Sequence, residues 1–444
     1  MRYSIHLFLF IIIISCDTEN KFQAPAESHF IKFYGEDGNH EGVDFVVNTD
    51  GSYILLGNEQ VDGGSLGQQI YLVKVDALGT VVWDKTFGLA GDEFGKDIEL
   101  TADGRIIVAA ESQKGLNDKD VYLKTLSQDG TPLDSVRIGL KTIDNQESDE
   151  EVNSISIIQD GFIVSGSTTA VKTLKSAKPN DTKDALHLRF TSALDLIDES
   201  SGLWSYTTEL DDSEDVLVKM YEINSSLYYG FGYTNTVRNS NRDYKYWSFS
   251  LGATGDPSNN GTDLLDVIGS SVEDEILNDV IVSPIQLGEG FILSGVKTKS
   301  SGESQSFIVK LQKTLFLPGE DNVLAEEAPT DLGNLDNNLD NFSREVVNRS
   351  RMASLSQGGF LLLSNSKLLS NDKLNISLIK LSNTFLKVWQ VPLFFGGAGD
   401  DFAGTATELP DGKIVIIGTM TLGGVTGQTK MVLMKLNSEG KLNE

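Results

Sequence analysis

Seven times along the chain a short apolar run ends on a small residue: YILLG, IIVAA, FIVSG, YGFG, FILSG, FLLLS and VIIG. The small residues are Gly57, Ala110, Gly166, Gly232, Gly295, Ser364 and Gly418, spaced by about 60 residues. A second apolar run follows each of these, ending at Val75, Leu126, Phe190, Leu251, Leu311, Leu381 and Leu436. Runs this short and this uniformly apolar predict strands covered on both faces, and helical spacing is nowhere sustained. Asp50-Gly51, Asp103-Gly104, Asp160-Gly161 and Asp411-Gly412 stand just ahead of the first run, where Asp-Gly signals a hairpin because both residues tolerate positive φ. An acidic turn and a further strand precede each hairpin, as in GDEFGKDIEL (91–100) and GDDFAGTATEL (399–409). A fourth strand is clearest at VVWDKTF (81–87) and KVWQVPLFF (387–395).

A four-stranded unit of this size cannot bury a core alone, so the repeat predicts a ring of stacked sheets. The last unit, 399–444, has no fourth strand, while HFIKFYG (29–35) reads like WDKTFG (83–88). The N-terminal segment therefore completes the last sheet. The expected fold is all-β: a seven-bladed β-propeller of four-stranded blades, closed by its N-terminal strand. An eighth blade would require a degenerate unit.

Composition agrees with one large domain: 444 residues, 39% hydrophobic, with 43 glycines and nine prolines. Charge narrows the partners. Sixty-four acidic and 36 basic residues leave a net charge of -28, which repels phosphate backbones and excludes nucleic acid. Insertions at 170–184, 234–243, 252–262 and 313–341 lengthen the middle units, and variable loops on a rigid ring are where recognition resides.

The N-terminus carries an address. Arg2 precedes an apolar stretch from Leu7 to Ile14, too short to span a bilayer. Ile13-Ile14-Ser15-Cys16 resembles a bacterial lipobox, and the resemblance implies cleavage before Cys16 and its lipidation. Two or three acyl chains give a stable anchor. Cys16 is the single cysteine of the chain, so no disulfide partner competes for it. The expected organisation is a signal peptide (1–16), a polar tether (17–28) and the propeller (29–444). Asp17 and Glu19 resemble the surface-export signal of Bacteroidota lipoproteins, which implies an outer-membrane protein facing outward.

FGLAGDEFGKDIELTADGRIIVAA (87–110), FGGAGDDFAGTATELPDGKIVIIG (395–418) and LVKVDALGTVVW (72–83) resemble a repeat common in Bacteroidota secreted proteins and lipoproteins. In that family a Gly-Gly-Asp-Asp turn, an Asp-Gly hairpin and a Lys-Leu-Asp…Gly…Trp hairpin alternate. The first two units and the last match it well, and units three to six match in their apolar skeleton. The resemblance implies a propeller and little about activity.

Candidate chemistry is sparse. Glu41, Glu93, Glu150, Glu214, Glu275 and Asp401 recur just before the first strand of their units, with Arg344 in the sixth. If they ring a channel mouth, they are candidates to hold calcium or a cationic group. Turn chemistry, with acids accepting backbone N–H groups, is the competing expectation. Asp336, Asn338 and Asp340 form a D-x-N-x-D string, a calcium candidate that lacks the glycine and bidentate glutamate of an EF-hand loop. Lys74, Arg189, Lys310, Lys380 and Lys435 occupy matching places on the third strands, where ion pairing with acids of the next blade is expected.

No second cysteine or histidine cluster accompanies these acids, so cysteine–histidine and zinc catalysis lack their parts. The expected function is a non-catalytic, membrane-anchored binding or scaffolding module for an envelope protein partner or a glycan. Two alternatives stand beside it: a polysaccharide hydrolase or lyase using acids such as Glu93 and Asp401, and an outer-membrane assembly factor.

Overall fold

The computed structural model describes residues 28–442 except 61–66, 116–117, 142–144, 171–182, 198–202, 207–213, 226, 236–243, 253–265, 270–272, 284–289, 303, 313–322, 326–342, 369–372, 390 and 424–426. Of residues 203–206, 266–267, 312, 323–325 and 343–349 it describes the backbone alone. The described residues form seven antiparallel sheets of four strands each, a seven-bladed β-propeller. Within blades 1 to 6 the strands lie side by side in sequence order. The first strands are Asn39–Val47, Asp92–Leu100, Glu150–Ile158, Asp215–Asn224, Asp274–Val282, Ser343–Ser354 and Phe402–Glu408. Each touches the first strand of the next blade around the full ring, so these seven strands wall the central channel.

The burial pattern follows the sequence pattern. Second strands such as Gly161–Thr168 and third strands such as Gln69–Val75 are buried almost throughout. The outer strands Val81–Phe87 and Pro132–Ile138 are half-buried or exposed. The core lies between blades. Leu55, Tyr53 and Val73 of blade 1 pack against Val415, Ile417 and Leu433 of blade 7, for example.

Closure occurs where the unit count requires it. Phe30–Tyr34 pairs antiparallel with Thr429–Leu436, Phe30 opposite Lys435 and Tyr34 opposite Met431. Phe30 and Tyr34 point inward and are 6% and 5% exposed. The Tyr34 hydroxyl donates to the Gly79 carbonyl of blade 1 at 2.9 Å. One short strand thus completes one blade and fastens it to its neighbour, removing an exposed sheet edge.

The small residue ending the apolar run of the second strand has a steric cause where it is glycine. A Cβ at Gly57 would lie 1.9 Å from the Glu41 carbonyl oxygen, and one at Gly166 would lie 1.8 Å from that of Glu151. The first strand presses its backbone onto this position and then breaks register. Pairing shifts between Gly42 and Asp44, Gly95 and Asp97, Val152 and Ser154, Leu217 and Lys219, Leu277 and Asp279, Val346 and Ser350, and Ala403 and Ala406. An extra residue at each β-bulge re-aims the side chain after it.

Three Asp-Gly hairpins turn through a left-handed glycine, with φ of +81° at Gly51, +80° at Gly104 and +80° at Gly412. Asp160-Gly161 departs from the expectation. Gly161 is already in the strand, opposite Ile158 and Thr191, where a Cβ would lie 1.8 Å from the Phe190 carbonyl oxygen. Close backbone approach, not positive φ, requires glycine there. The insertions of the middle units fall largely outside the described residues.

Candidate functional site

Among the described residues, the turn ahead of the first strand is an inter-blade staple in five of the seven blades. Its first polar side chain accepts a backbone N–H from the start of the preceding blade's third strand. Asp92 takes Gln68 N at 2.7 Å, Asp149 takes Lys119 N at 3.1 Å, Asp274 takes Tyr244 N at 3.0 Å and Asp400 takes Leu374 N at 3.0 Å. Asn39 does the same for Thr429 N at 3.1 Å, across the closure. The next residue folds under the turn. Glu93 is fully buried and accepts from Leu89 N (2.8 Å), the Gln69 side-chain amide (3.1 Å) and the Ser112 hydroxyl (2.8 Å). Glu150 accepts from Leu140 N (3.0 Å), Ser148 (2.6 Å) and Thr168 (2.9 Å), and Asp401 from Gly397 N (2.6 Å) and Thr421 N (2.8 Å). Glu275, equally buried, faces Lys297 at 3.6 Å and Lys245 at 4.0 Å.

Six acids were expected at one channel mouth, and the structure separates them. Glu93, Glu150 and Asp401 are enclosed in blade corners, where their oxygens accept from turn and strand donors, Glu275 is enclosed beside Lys297 and Lys245, and none of the four lines the channel chambers. Glu214 stands one position early, the register being held by Asp215, and accepts a hydrogen bond from the Tyr244 hydroxyl. Glu41 stands one position late, the register being held by buried His40, and it alone of the six lines the channel. The expected pairing of third-strand cations with acids of the next blade is also replaced. Lys74, Lys380 and Lys435 donate instead to the carbonyls of Gln128, Ser438 and Ala77 in the next blade's outer turn, at 3.1, 3.3 and 3.0 Å. Arg189 pairs with Asp160 of its own blade at 2.9 Å. Cys16, Asp336, Asn338 and Asp340 lie outside the described residues. Among the described residues no three His, Cys, Asp or Glu side chains are grouped to hold a metal ion.

The channel itself holds the richest polar chemistry. Directly after the bulges of the first five blades stand Asp44, Asp97, Ser154, Lys219 and Asp279; Arg351 stands one residue beyond the bulge of the sixth blade, and Thr405 stands within that of the seventh. They form a belt at the waist of the channel. Several bridge neighbouring blades: Asp97 accepts Ile155 N at 2.8 Å, Asp279 accepts Met352 N at 3.2 Å, and the Ser154 hydroxyl donates to the Val218 carbonyl at 2.7 Å. Two connected chambers meet at the belt, sharing Asn153, Val218, Asn278 and Arg351 as lining. The wider, about 290 Å³, lies toward Glu41, Phe94 and Tyr233. The narrower, about 220 Å³, contains Asp44, Asp97, Glu99, Lys219, Asp279 and Thr405.

Charge in the narrower chamber is held away from ordinary titration. Burial raises Asp44 well above the usual carboxylate range, and the charge of Asp97, to which it hydrogen-bonds, raises it further. Burial, then the charge of Asp97, pushes Glu99 up to about 7, against the pull of Lys219. Tyr221, followed by Asp279, Asp97 and Glu99, holds Lys219 above the usual lysine range, against the opposing effect of burial.

These residues carry a sequence signal that apolar patterning does not display. Asp44, Asp97, Lys219, Arg351 and Thr405 each stand thirteen positions ahead of Gly57, Ala110, Gly232, Ser364 and Gly418 respectively.

Glu99 gives a pH prediction. Its carboxyl gives up its proton near 4.5 in the unfolded chain and holds it to about 7 when folded. Between those values the native state binds more protons, so its contribution to stability falls as pH rises and is fully lost above the upper value. Because the group is half-buried, solvent reduces the effect to about 1–2 kcal/mol. Glu99→Gln is therefore expected to be the more stable protein by that amount at about pH 8, with little difference at about pH 4. Urea midpoints at both pH values test this, and equal midpoints at the higher pH would remove Glu99 from the titrating set.

No family model matches the chain, and no curated protein matches it. Similar solved structures exist. A protein of unknown function from Dyadobacter fermentans aligns over 92% of this chain and 97% of its own, at 9% identity and a TM-score of 0.47. Another of unknown function, from Bacteroides caccae, aligns over 91% and 92%, at 9% identity and a TM-score of 0.35. Drosophila Semaphorin 2a aligns over 93% of this chain and 75% of its own, at 10% identity and a TM-score of 0.50. At such identities the likeness is one of fold alone.

Proposed function

We propose that this chain is a non-catalytic binding or scaffolding propeller, anchored to the outer membrane through lipidated Cys16, that engages an envelope protein partner or a glycan. One observation carries the reading. The recurrent acids, the most conspicuous chemistry of the repeat, are used to staple blade to blade. A rigid ring then remains, with a polar channel through it. Such a ring suits recognition, because binding orders little that is not already fixed. No helix among the described residues is long and apolar enough to cross a membrane. The proposed anchor is the acyl-cysteine.

The test is crosslinking in intact cells with a tagged chain and a Cys16→Ala control. Recovery of one envelope complex, lost in the control, is the expected outcome. Equal recovery from both would sink the anchored scaffold.

A second reading has a specific observation in its favour. Glu99, held near neutral pH beside the Asp44–Asp97 pair, is placed as an acid–base group would be in a polysaccharide hydrolase or lyase. It transfers the candidate chemistry from Glu93 and Asp401 to the channel. Turnover of a polysaccharide panel, abolished by Glu99→Gln, would establish that reading over the first.

A further inference from the structure

Arg351 is the one guanidinium of the channel belt, and it lines both chambers. The other cations nearby are engaged. Lys96 pairs with Glu111 at 3.1 Å, and Lys219 lies 5.7 Å from the ring centre of Tyr221, to which it hydrogen-bonds. Among the described residues Arg351 makes no hydrogen bond or ion pair; its electrostatic neighbour is Asp44, whose carboxyl is raised well above the usual carboxylate range by burial and then by the charge of Asp97. Both oxygens of Asp279, the belt acid of the adjacent blade, are occupied by Val280 N (2.8 Å) and Met352 N (3.2 Å). A half-buried guanidinium thus lines a chamber with its N–H donors uncommitted to any described residue.

The rest of the wider chamber is complementary to a polyol. Asn153 spends its amide N–H on the Leu217 carbonyl at 2.8 Å, leaving its oxygen toward the cavity. Asn278 spends its oxygen on Ser350 N at 3.1 Å, leaving its N–H₂. Tyr233, its hydroxyl held protonated to about 12 by burial, adds a donor, Glu41 adds an acceptor, and Phe94 adds an aromatic ring. About 290 Å³ lies at the small end of ligand sites, room for one ring and not for a chain. We propose that the wider chamber binds a single carboxylate-bearing sugar residue, a hexuronate or the acidic end of a glycan, with its carboxylate on Arg351 and its hydroxyls on Asn153, Asn278 and Tyr233.

Guanidinium matches carboxylate with two parallel N–H···O bonds, a geometry that neither a neutral sugar nor a lysine reproduces. The net charge of -28 does not prevent this, because fields from the outer surface are screened over about 8 Å in physiological salt. The proposal rests on the binding-module reading and deepens it by naming the ligand class.

The test is calorimetry and saturation-transfer NMR on the intact propeller with glucuronate, galacturonate, glucose and acetate. One of the uronates is expected to bind at least about tenfold more tightly than glucose and than acetate. Arg351→Gln is expected to remove that preference, Arg351→Lys to restore little of it, and Tyr233→Phe, which deletes one hydroxyl and no volume, to weaken it. Equal affinity for glucose and both uronates, or an undiminished preference in folded Arg351→Gln, overturns the assignment. The two proposals fail separately. If no sugar binds while the crosslinked partner is still recovered, the chamber assignment falls and the scaffold stands. If an acidic oligosaccharide is bound and cleaved, the non-catalytic reading falls and the chamber assignment stands.

Discussion

A chain that begins at Glu36, and so lacks the closing strand, is expected not to fold as a stable monomer. Phe30 and Tyr34 sit at 6% and 5% exposure in the core between the last blade and the first. Losing a buried aromatic costs about 3–5 kcal/mol, so two cost roughly 6–10 kcal/mol. The total stability of an ordinary domain is about 5–15 kcal/mol. Five residues of strand pairing and the Tyr34–Gly79 bond disappear with them. The truncation also leaves Thr429–Leu436, whose residues Lys430 to Leu436 are buried in the intact blade, as an open strand edge. Circular dichroism melts and size-exclusion chromatography should show lost cooperativity and association into larger species. Peptide 29–35 added in excess should restore part of the native melt. A monomeric, cooperative melt at the full-length temperature would mean that the ring closes by other contacts.

The second large effect is expected at a blade corner, in Glu93→Ala. Three donors, Leu89 N, the Gln69 amide and the Ser112 hydroxyl, lose their shared acceptor in a fully buried place. An unsatisfied buried donor costs about 1–3 kcal/mol, and three around one cavity come to roughly 3–5 kcal/mol, since such costs are not additive. Glu93→Gln keeps one acceptor oxygen and the volume, so about half of that loss is expected. Urea denaturation of both variants gives the comparison, repeated with calcium and with a chelator. If the acids work as staples, the loss is the same in either condition. Loss below about 1 kcal/mol in Glu93→Ala, or a dependence on calcium, would return Glu93 to the ligand-binding candidates.

This result also separates what was readable in the chain from what was not. The acids were visible as a recurring type, but their register was not, because strand side chains alternate faces and a shift of one residue exchanges corner for channel. Glu214 and Glu41 show the consequence. Each was grouped with Glu93 by proximity to the turn, and each misses the buried register by one position, which Asp215 and His40 hold instead.

Strand identity, blade number and ring closure were determined by the sequence alone. Apolar runs too short for helices, ending on residues that admit a pressed backbone and repeated at a fixed interval, have few other solutions. The segment resembling a fourth strand ahead of the first unit and the unit lacking one at the end left a single way to remove the edge. What only the tertiary structure decided is where the chemistry lies. The bulge in each first strand inserts a residue that no periodicity announces, and it turns Asp44, Asp97, Lys219, Asp279 and Arg351 into the channel. These residues are far apart along the chain, and the thirteen-residue spacing that most of them share does not say which way they point. They become one site because seven blades bring the same register to a common axis, and there enclosure gives their charges pairings that solvent would not.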